Sequence, residues 1–193
     1  MRVGISGYMG AGKTTCVKSF TNDQVCIIDA DSEAKKVMRS DPRIAEDLCK
    51  AFGSSVVDST GLRFEELAKI AFGSLEQLKI LNSISHPPLL LKLKSMIEVC
   101  RRPVCILDAA LIPLWRIENW FDICIWVDAP FNVRLQRLRQ KKKDVPDSEL
   151  VLRMKMQEQL LGLPEGPHWV KVEDSVCREF LNEKLERKYG TQL

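Results

Sequence analysis

The runs Val25-Cys26-Ile27-Ile28, Val104-Cys105-Ile106-Leu107 and Ile123-Cys124-Ile125-Trp126-Val127 are continuously apolar, and each closes on an aspartate: Asp29, Asp108 and Asp128. Without polar alternation, such runs predict strands covered on both faces, as in a parallel sheet. Val3-Gly4-Ile5-Ser6 reads as another buried strand, followed by a glycine loop, Gly7-Tyr8-Met9-Gly10-Ala11-Gly12, and by a helical segment from Lys13 to Phe20. With a short apolar run at Trp169-Val170, about five strands are expected.

Helical patterns fill the chain between Asp31 and Arg102, with turn signals at Ser40-Asp41-Pro42, Gly53-Ser54-Ser55 and His86-Pro87-Pro88. That stretch is too long for one crossover, so residues 31–102 are expected to be a helical substrate-binding insert. After Asp128 come a helix from about Asn132, a charged break at Lys141-Lys142-Lys143-Asp144-Val145-Pro146 and a helix from Ser148 to Leu161. Residues 132–160 are read as a lid, and a charged helix closes the chain. The expected fold is α/β: a doubly wound parallel sheet in one P-loop domain over residues 1–193, carrying the insert and the helical lid within it.

Composition narrows the function classes. The net charge of +3, from 29 basic and 26 acidic residues, is too balanced for a protein whose task is to neutralise many nucleic-acid phosphates. No run approaches the ~20 apolar residues of a membrane span. Met1-Arg2 leads directly into the first strand, leaving no room for a signal peptide. The 7 cysteines contain no C-x-x-C pair, and an odd total suits neither a disulfide framework nor a zinc site. A protein of the reducing cytoplasm is expected, with no membrane, nucleic-acid or obligate protein partner.

Gly7-Tyr8-Met9-Gly10-Ala11-Gly12-Lys13-Thr14 satisfies G-x-x-x-x-G-K-[ST]. Glycines let successive backbone N–H groups turn inward around phosphates, and the following helix adds its positive end. Gly10, Ala11, Gly12, Lys13, Thr14 and Thr15 are therefore candidates to bind ATP, with Lys13 against the β- and γ-phosphates and the Thr14 hydroxyl on Mg²⁺. Asp108 is placed like a Walker-B acid. Asp29 and Asp31 end the second apolar run, where carboxylates can orient Mg²⁺ or accept a proton from an attacking hydroxyl; Asp31 or Ser32 is equally suited to capping the next helix. Arg134, Arg137 and Lys141 share a helix face by their spacing and, with Arg153, suit a lid closing over the transferring phosphoryl group.

A P-loop alone does not separate kinases from switches or ATP-driven machines. There is no N-K-x-D guanine motif, and Asp58-Ser59-Thr60-Gly61, though it spells D-x-x-G, reads as a surface turn. Another small nucleotide, nucleoside or metabolite kinase and a P-loop switch or assembly ATPase stay open as alternatives.

The residues resemble the dephospho-coenzyme A kinases, P-loop enzymes that phosphorylate the ribose 3′-hydroxyl of dephospho-CoA with ATP. Gly4 to Thr14 is similar to the family's opening strand and loop, and Ile28-Asp29-Ala30-Asp31 to its I-D-A-D segment. Leu81 to Pro87 is similar to L-x-x-I-x-H-P, and Arg137-Leu138 with Arg153-x-x-x-Gln157 to its lid. The resemblance implies ATP and 3′-dephospho-CoA as substrates, Mg²⁺ as cofactor, and Asp31, Lys13 and Arg137 as the catalytic set. It further implies His86 and Arg153 near the acceptor, and Arg134, Arg137 and Lys141 near ATP. Arg134 stands where the family has glutamine, Lys141 where it has arginine, Ala109-Ala110 where a proline follows the acid, Ser59 to Phe64 where it has D-G-x-[ILV]-D-R, and Trp169 to Asp174 where it has A-D-x-V-I-x-N.

Overall fold

A computed structural model describes residues 1–18, 20, 23–173 and 175–189. The chain forms two compact units, one of Met1–Ile28 with Cys100–Leu193 and one of Asp29–Val99.

The first unit is organised by a five-stranded parallel sheet. Its strands are β1 (Arg2–Ser6), β2 (Val25–Asp29), β5 (Val104–Asp108), β6 (Ile123–Asp128) and β7 (Trp169–Glu173), in the order β2-β5-β1-β6-β7. The apolar runs become strands because both faces are covered: Val3, Ile5, Val104, Ile106, Ile125 and Val127 are fully buried and share one core with Val17 of α1 (Lys13–Lys18) and Leu181 of α9 (Cys177–Tyr189). Burying each such side chain contributes about 1.5–3 kcal/mol. The second strand departs from expectation. β2 lies at the sheet edge and exposes Ile27, because an edge strand has a neighbour on one side only. The predicted helix from Lys13 to Phe20 is α1 over Lys13–Lys18; Ser19, like Asp174 in the C-terminal segment, lies outside the described residues. α6 (Ile112–Trp115), α7 (Phe131–Lys141) and α8 (Asp147–Leu161) complete the unit, with the charged break between α7 and α8 where it was expected.

The second unit holds α2 (Ala30–Ser40), α3 (Pro42–Phe52), α4 (Phe64–Ala71) and α5 (Leu75–Val99). Its bounds differ from the expected 31–102 because helix α2 starts at once after β2, while Cys100 to Pro103 leads into β5. Asp41 joins α2 to α3: its carboxylate accepts from the Arg43 N–H at 3.0 Å, and Pro42 supplies a first-turn residue that has no N–H to satisfy. The unit is not purely helical. Val57–Asp58 (β3) pairs antiparallel with Gly61–Leu62 (β4), and Asp58 accepts from the Thr60 N–H at 2.7 Å, so the D-x-x-G segment is an exposed hairpin turn.

The turn expected at His86-Pro87-Pro88 does not form; α5 runs through both prolines. Two ladder hydrogen bonds are lost there. The helix continues because Leu78, Ser85, Leu89, Leu93 and Ile97 are buried along it, a tertiary gain that exceeds the local cost. Ser85 Oγ donates to the Leu81 carbonyl at 2.8 Å, and burial holds the half-buried His86 at a pKa of about 4, as a neutral imidazole.

The cysteines also differ from expectation. Cys16 of α1 and Cys177 of α9 form a disulfide with a Cα–Cα distance of 6.0 Å. Sequence spacing gives no sign of this pair because 161 residues separate its members. Cys26, Cys100 and Cys105 converge as well, although no C-x-x-C motif announces them.

Candidate active site

β1 ends on Ser6, whose hydroxyl donates to the Ala110 carbonyl at 2.9 Å, and the chain then enters the glycine loop. Gly7 (φ 147°) and Gly10 (φ 78°) hold backbone conformations that side chains disfavour. A Cβ at Gly7 would lie 2.3 Å from the Val127 carbonyl oxygen, and one at Gly10 would lie 2.7 Å from that of Arg134. The loop is thus seated against β6 and α7, and only glycine fits either place. Lys13 Nζ donates to the Gly7 and Tyr8 carbonyls at 2.7 and 3.2 Å, so its ammonium sits over the loop. Thr14 and Thr15 are exposed in the first turn of α1, Ala11 is buried, and Gly12 accepts from the Thr15 N–H at 3.0 Å.

Asp108 ends β5 as the register partner of Ile5, two residues before Gly7. Parallel pairing therefore delivers its carboxylate to the pole of the sheet from which the glycine loop springs.

The two helices of the expected lid are tied to the loop. Arg134 is 3% exposed: its Nε donates to the Ala129 carbonyl at 3.0 Å, its Nη2 pairs with Glu158 of α8, and its guanidinium lies 4.9 Å from the Tyr8 ring centre. Arg134 therefore braces α7 against α8 and the loop, while its Nη1 is buried with no hydrogen-bond partner among the described residues. Arg137 lies 3.4 Å from the Gly10 and Ala11 carbonyls, and Lys141 is exposed at the end of α7. The helical spacing does place these three on one face, but that face runs from core to solvent. Arg153, on α8, pairs with Glu149. Gln157 Oε1 accepts from the Met9 N–H at 2.6 Å, a contact for which the sequence offers only the Arg153-x-x-x-Gln157 spacing.

Tyr8 was also not foreseen as a site residue. Its hydroxyl donates to the Gly162 carbonyl at 3.0 Å, and its ring meets Trp126 edge-on at 4.8 Å. Burial, and then the Glu158 charge, raises its pKa, so the hydroxyl stays a donor. A cavity of about 570 Å³ is lined by other residues, Arg116, Glu118, His168 and Trp169 among them.

In the second unit, Asp29 rather than Asp31 or Ser32 caps α2, accepting from the Ser32 N–H at 3.0 Å. A cap must precede the first helical residue, and Asp29 does. Asp31 is exposed in the first turn of α2, and His86 lies within α5. No three carboxylate or imidazole ligand atoms cluster among the described residues. Thr14 and Asp108 are nevertheless hard oxygen donors of the kind Mg²⁺ takes when it keeps phosphate and water oxygens for the rest of its shell.

The family model for dephospho-CoA kinase (CoaE) matches residues 1–160. The chain belongs to the dephospho-CoA kinase family. It is accordingly a phosphotransferase with an alcohol group as acceptor. Curated dephospho-CoA kinases are similar in sequence: that of Corynebacterium diphtheriae is 33% identical over 140 residues, covering 70% of each chain. That of Coxiella burnetii is 25% identical over 159 residues, covering 81% of this chain and 79% of its own. The fold is shared with TT1252 from Thermus thermophilus, at a TM-score of 0.69 and 21% identity over 98% of this chain and 97% of that one. It is shared also with dephospho-CoA kinase from Campylobacter jejuni, at 0.57 and 18% identity over 94% and 96%. Among the described residues, no helix is long and apolar enough to cross a membrane.

Proposed function

We infer that the protein is an ATP-dependent dephospho-CoA kinase, transferring the γ-phosphoryl group of ATP to the ribose 3′-hydroxyl of 3′-dephospho-CoA to give CoA and ADP, and that it works in the cytoplasm. The observation that carries this reading is a phosphate-binding loop at Gly7–Thr14 in a chain whose residues 1–160 match the family model.

In this reading, Gly10–Thr15 present backbone N–H groups to the phosphates, and Lys13 moves from the Gly7 and Tyr8 carbonyls to the β- and γ-phosphates. Thr14 and Asp108, with Asp29, would hold Mg²⁺, which when bound neutralises phosphate charge as it develops. Asp31 orients the acceptor hydroxyl and takes its proton as the oxygen bonds to the γ-phosphorus; the bond to the β,γ-bridging oxygen breaks and ADP leaves with that electron pair. His86 and Arg153 serve the acceptor. Arg137 and Lys141 place positive charge near the transferring group. Arg134 contributes through the Glu158 brace, since its guanidinium is buried and engaged.

The test is turnover of Mg²⁺-ATP with and without 3′-dephospho-CoA, with the product identified by mass. A product heavier by one phosphate, absent with Lys13→Ala, is expected; ATP binding without transfer would refute the acceptor. Full turnover by Asp31→Asn would remove the base assignment.

A further inference from the structure

We propose that Cys26, Cys100 and Cys105 form a binding site for one soft, thiophilic cation of the Zn²⁺ and Cu⁺ class, separate from the nucleotide site. Their Sγ atoms all lie within 4.8 Å of one another, and they are the only such group of His, Cys, Asp or Glu ligand atoms among the described residues. Three thiolates around one cation at the usual metal–sulfur length of about 2.3 Å stand roughly 4 Å apart. The sulfurs therefore need to draw together by less than about 1 Å, within the reach of χ1 adjustment.

The backbone prearranges the set. Cys26 and Cys105 are each the second residue of neighbouring strands, β2 and β5, and Cys100 comes from the segment entering β5. Cys105 pairs in register with Arg2, at the start of β1, whereas the glycine loop follows the end of β1. At ~3.3 Å per residue, about 10 Å of strand separates Cys105 from the pole that carries Asp108. The site is thus distinct from the phosphate loop.

Its exposure suits an exchangeable ion. Cys105 is 4% exposed and anchors the floor, while Cys26 and Cys100 are half-buried and leave one side open for entry and for a fourth ligand. Three thiolates and a divalent ion would leave one negative charge. Burial and the neighbouring Cys100 thiol raise the Cys26 pKa, so the thiol gives up its proton to the incoming cation, while the Arg102 guanidinium, held by the Asp23 carbonyl, opposes that rise and would offset part of the charge. Thiolate donors select soft cations over Mg²⁺, so the two metals do not compete for one site. The bound ion would cross-link the half-exposed edge strand β2 to its only sheet neighbour, β5.

The experiment uses the full chain, reduced and freed of metal, titrated separately with Zn²⁺ and Cu⁺ against competing chelators. One equivalent of at least one of these cations is expected to bind, shielding Cys26, Cys100 and Cys105 from alkylation as read by peptide mass. Cys26→Ser and Cys100→Ser each weaken binding by at least about ten-fold, whereas Cys49→Ser and Cys177→Ser leave it unchanged. Circular dichroism confirms that the variants fold. Because binding and alkylation are read without turnover, the outcome is independent of the kinase reading. Failure of both cations to bind, or binding that survives the Cys26→Ser, Cys100→Ser double variant, overturns the proposal; so does alkylation of all three thiols at the metal-free rate.

Discussion

Gln157 Oε1 accepts the Met9 backbone N–H at 2.6 Å, so a side chain from α8 fixes the middle of the phosphate-binding loop across 148 residues of sequence. Gln157→Ala leaves that N–H without its partner, a loss of about 1 kcal/mol. Because the contact shapes a loop rather than the reacting atoms, the expected effect is a rise of roughly five-fold in KM for ATP, from that same ~1 kcal/mol, with kcat little changed. Steady-state kinetics at saturating acceptor measure it. A fall in kcat at unchanged KM would place Gln157 in the chemistry instead.

The Arg134–Glu158 pair makes a sharper demand on stability. The arginine side chain is 4% exposed and the glutamate 34%, so removing Glu158 strands a guanidinium that water can barely reach. Glu158→Ala is expected to cost about 3 kcal/mol, the low end for a broken buried pair because the glutamate is partly solvated. Replacing both partners, Arg134→Gln with Glu158→Gln, is expected to recover part of that loss. Urea denaturation of the single and double variants measures the coupling.

Cys16 directly follows the exposed Thr15 of the phosphate loop, and its bond to Cys177 ties α1 to α9. Closing so long a loop contributes up to about 5 kcal/mol in the chain-entropy picture and typically 2–4 kcal/mol in practice. Peptide mapping without reductant is expected to recover Cys16 linked to Cys177. Reductant, or Cys177→Ser, should lower the denaturation midpoint accordingly. An unchanged midpoint would show that the bond contributes nothing to folding.

The parallel sheet and the phosphate loop were legible because both are written locally: Val104 to Asp108 and Ile123 to Asp128 have no polar residue until the last, and Gly7 to Thr14 is one uninterrupted motif. The edge position of β2 was not, since Val25 to Ile28 is as apolar as the buried strands. Pro87 and Pro88 misled for a related reason. Their local cost is plain in sequence, but the burial of Leu89, Leu93 and Ile97 that outweighs it is a tertiary fact. Among site residues, Arg134 shows where charge alone falls short: its spacing puts it in the basic stripe, yet Tyr8, Ala129 and Glu158 converge on it in the fold. The Cys16–Cys177 bond and the three-thiol group belong with it, for no spacing rule joins residues that only the tertiary fold brings together.

His86 supplies a pH dependence whose sign can be worked out. Burial lowers its folded-state pKa to about 4 from an ordinary value of 6.5, so between these values the unfolded chain binds a proton that the folded chain does not. Stability from this group is fully present above pH 6.5 and is lost as pH falls toward 4, up to about 3 kcal/mol if His86 alone is counted. Urea unfolding measured at intervals from pH 7 down to about 4 should therefore show a declining free energy in the wild type. In His86→Gln the slope through this window is expected to flatten, since glutamine cannot take up the proton. Equal slopes in the two proteins would mean that carboxylate protonation, not the imidazole, controls the acid limb.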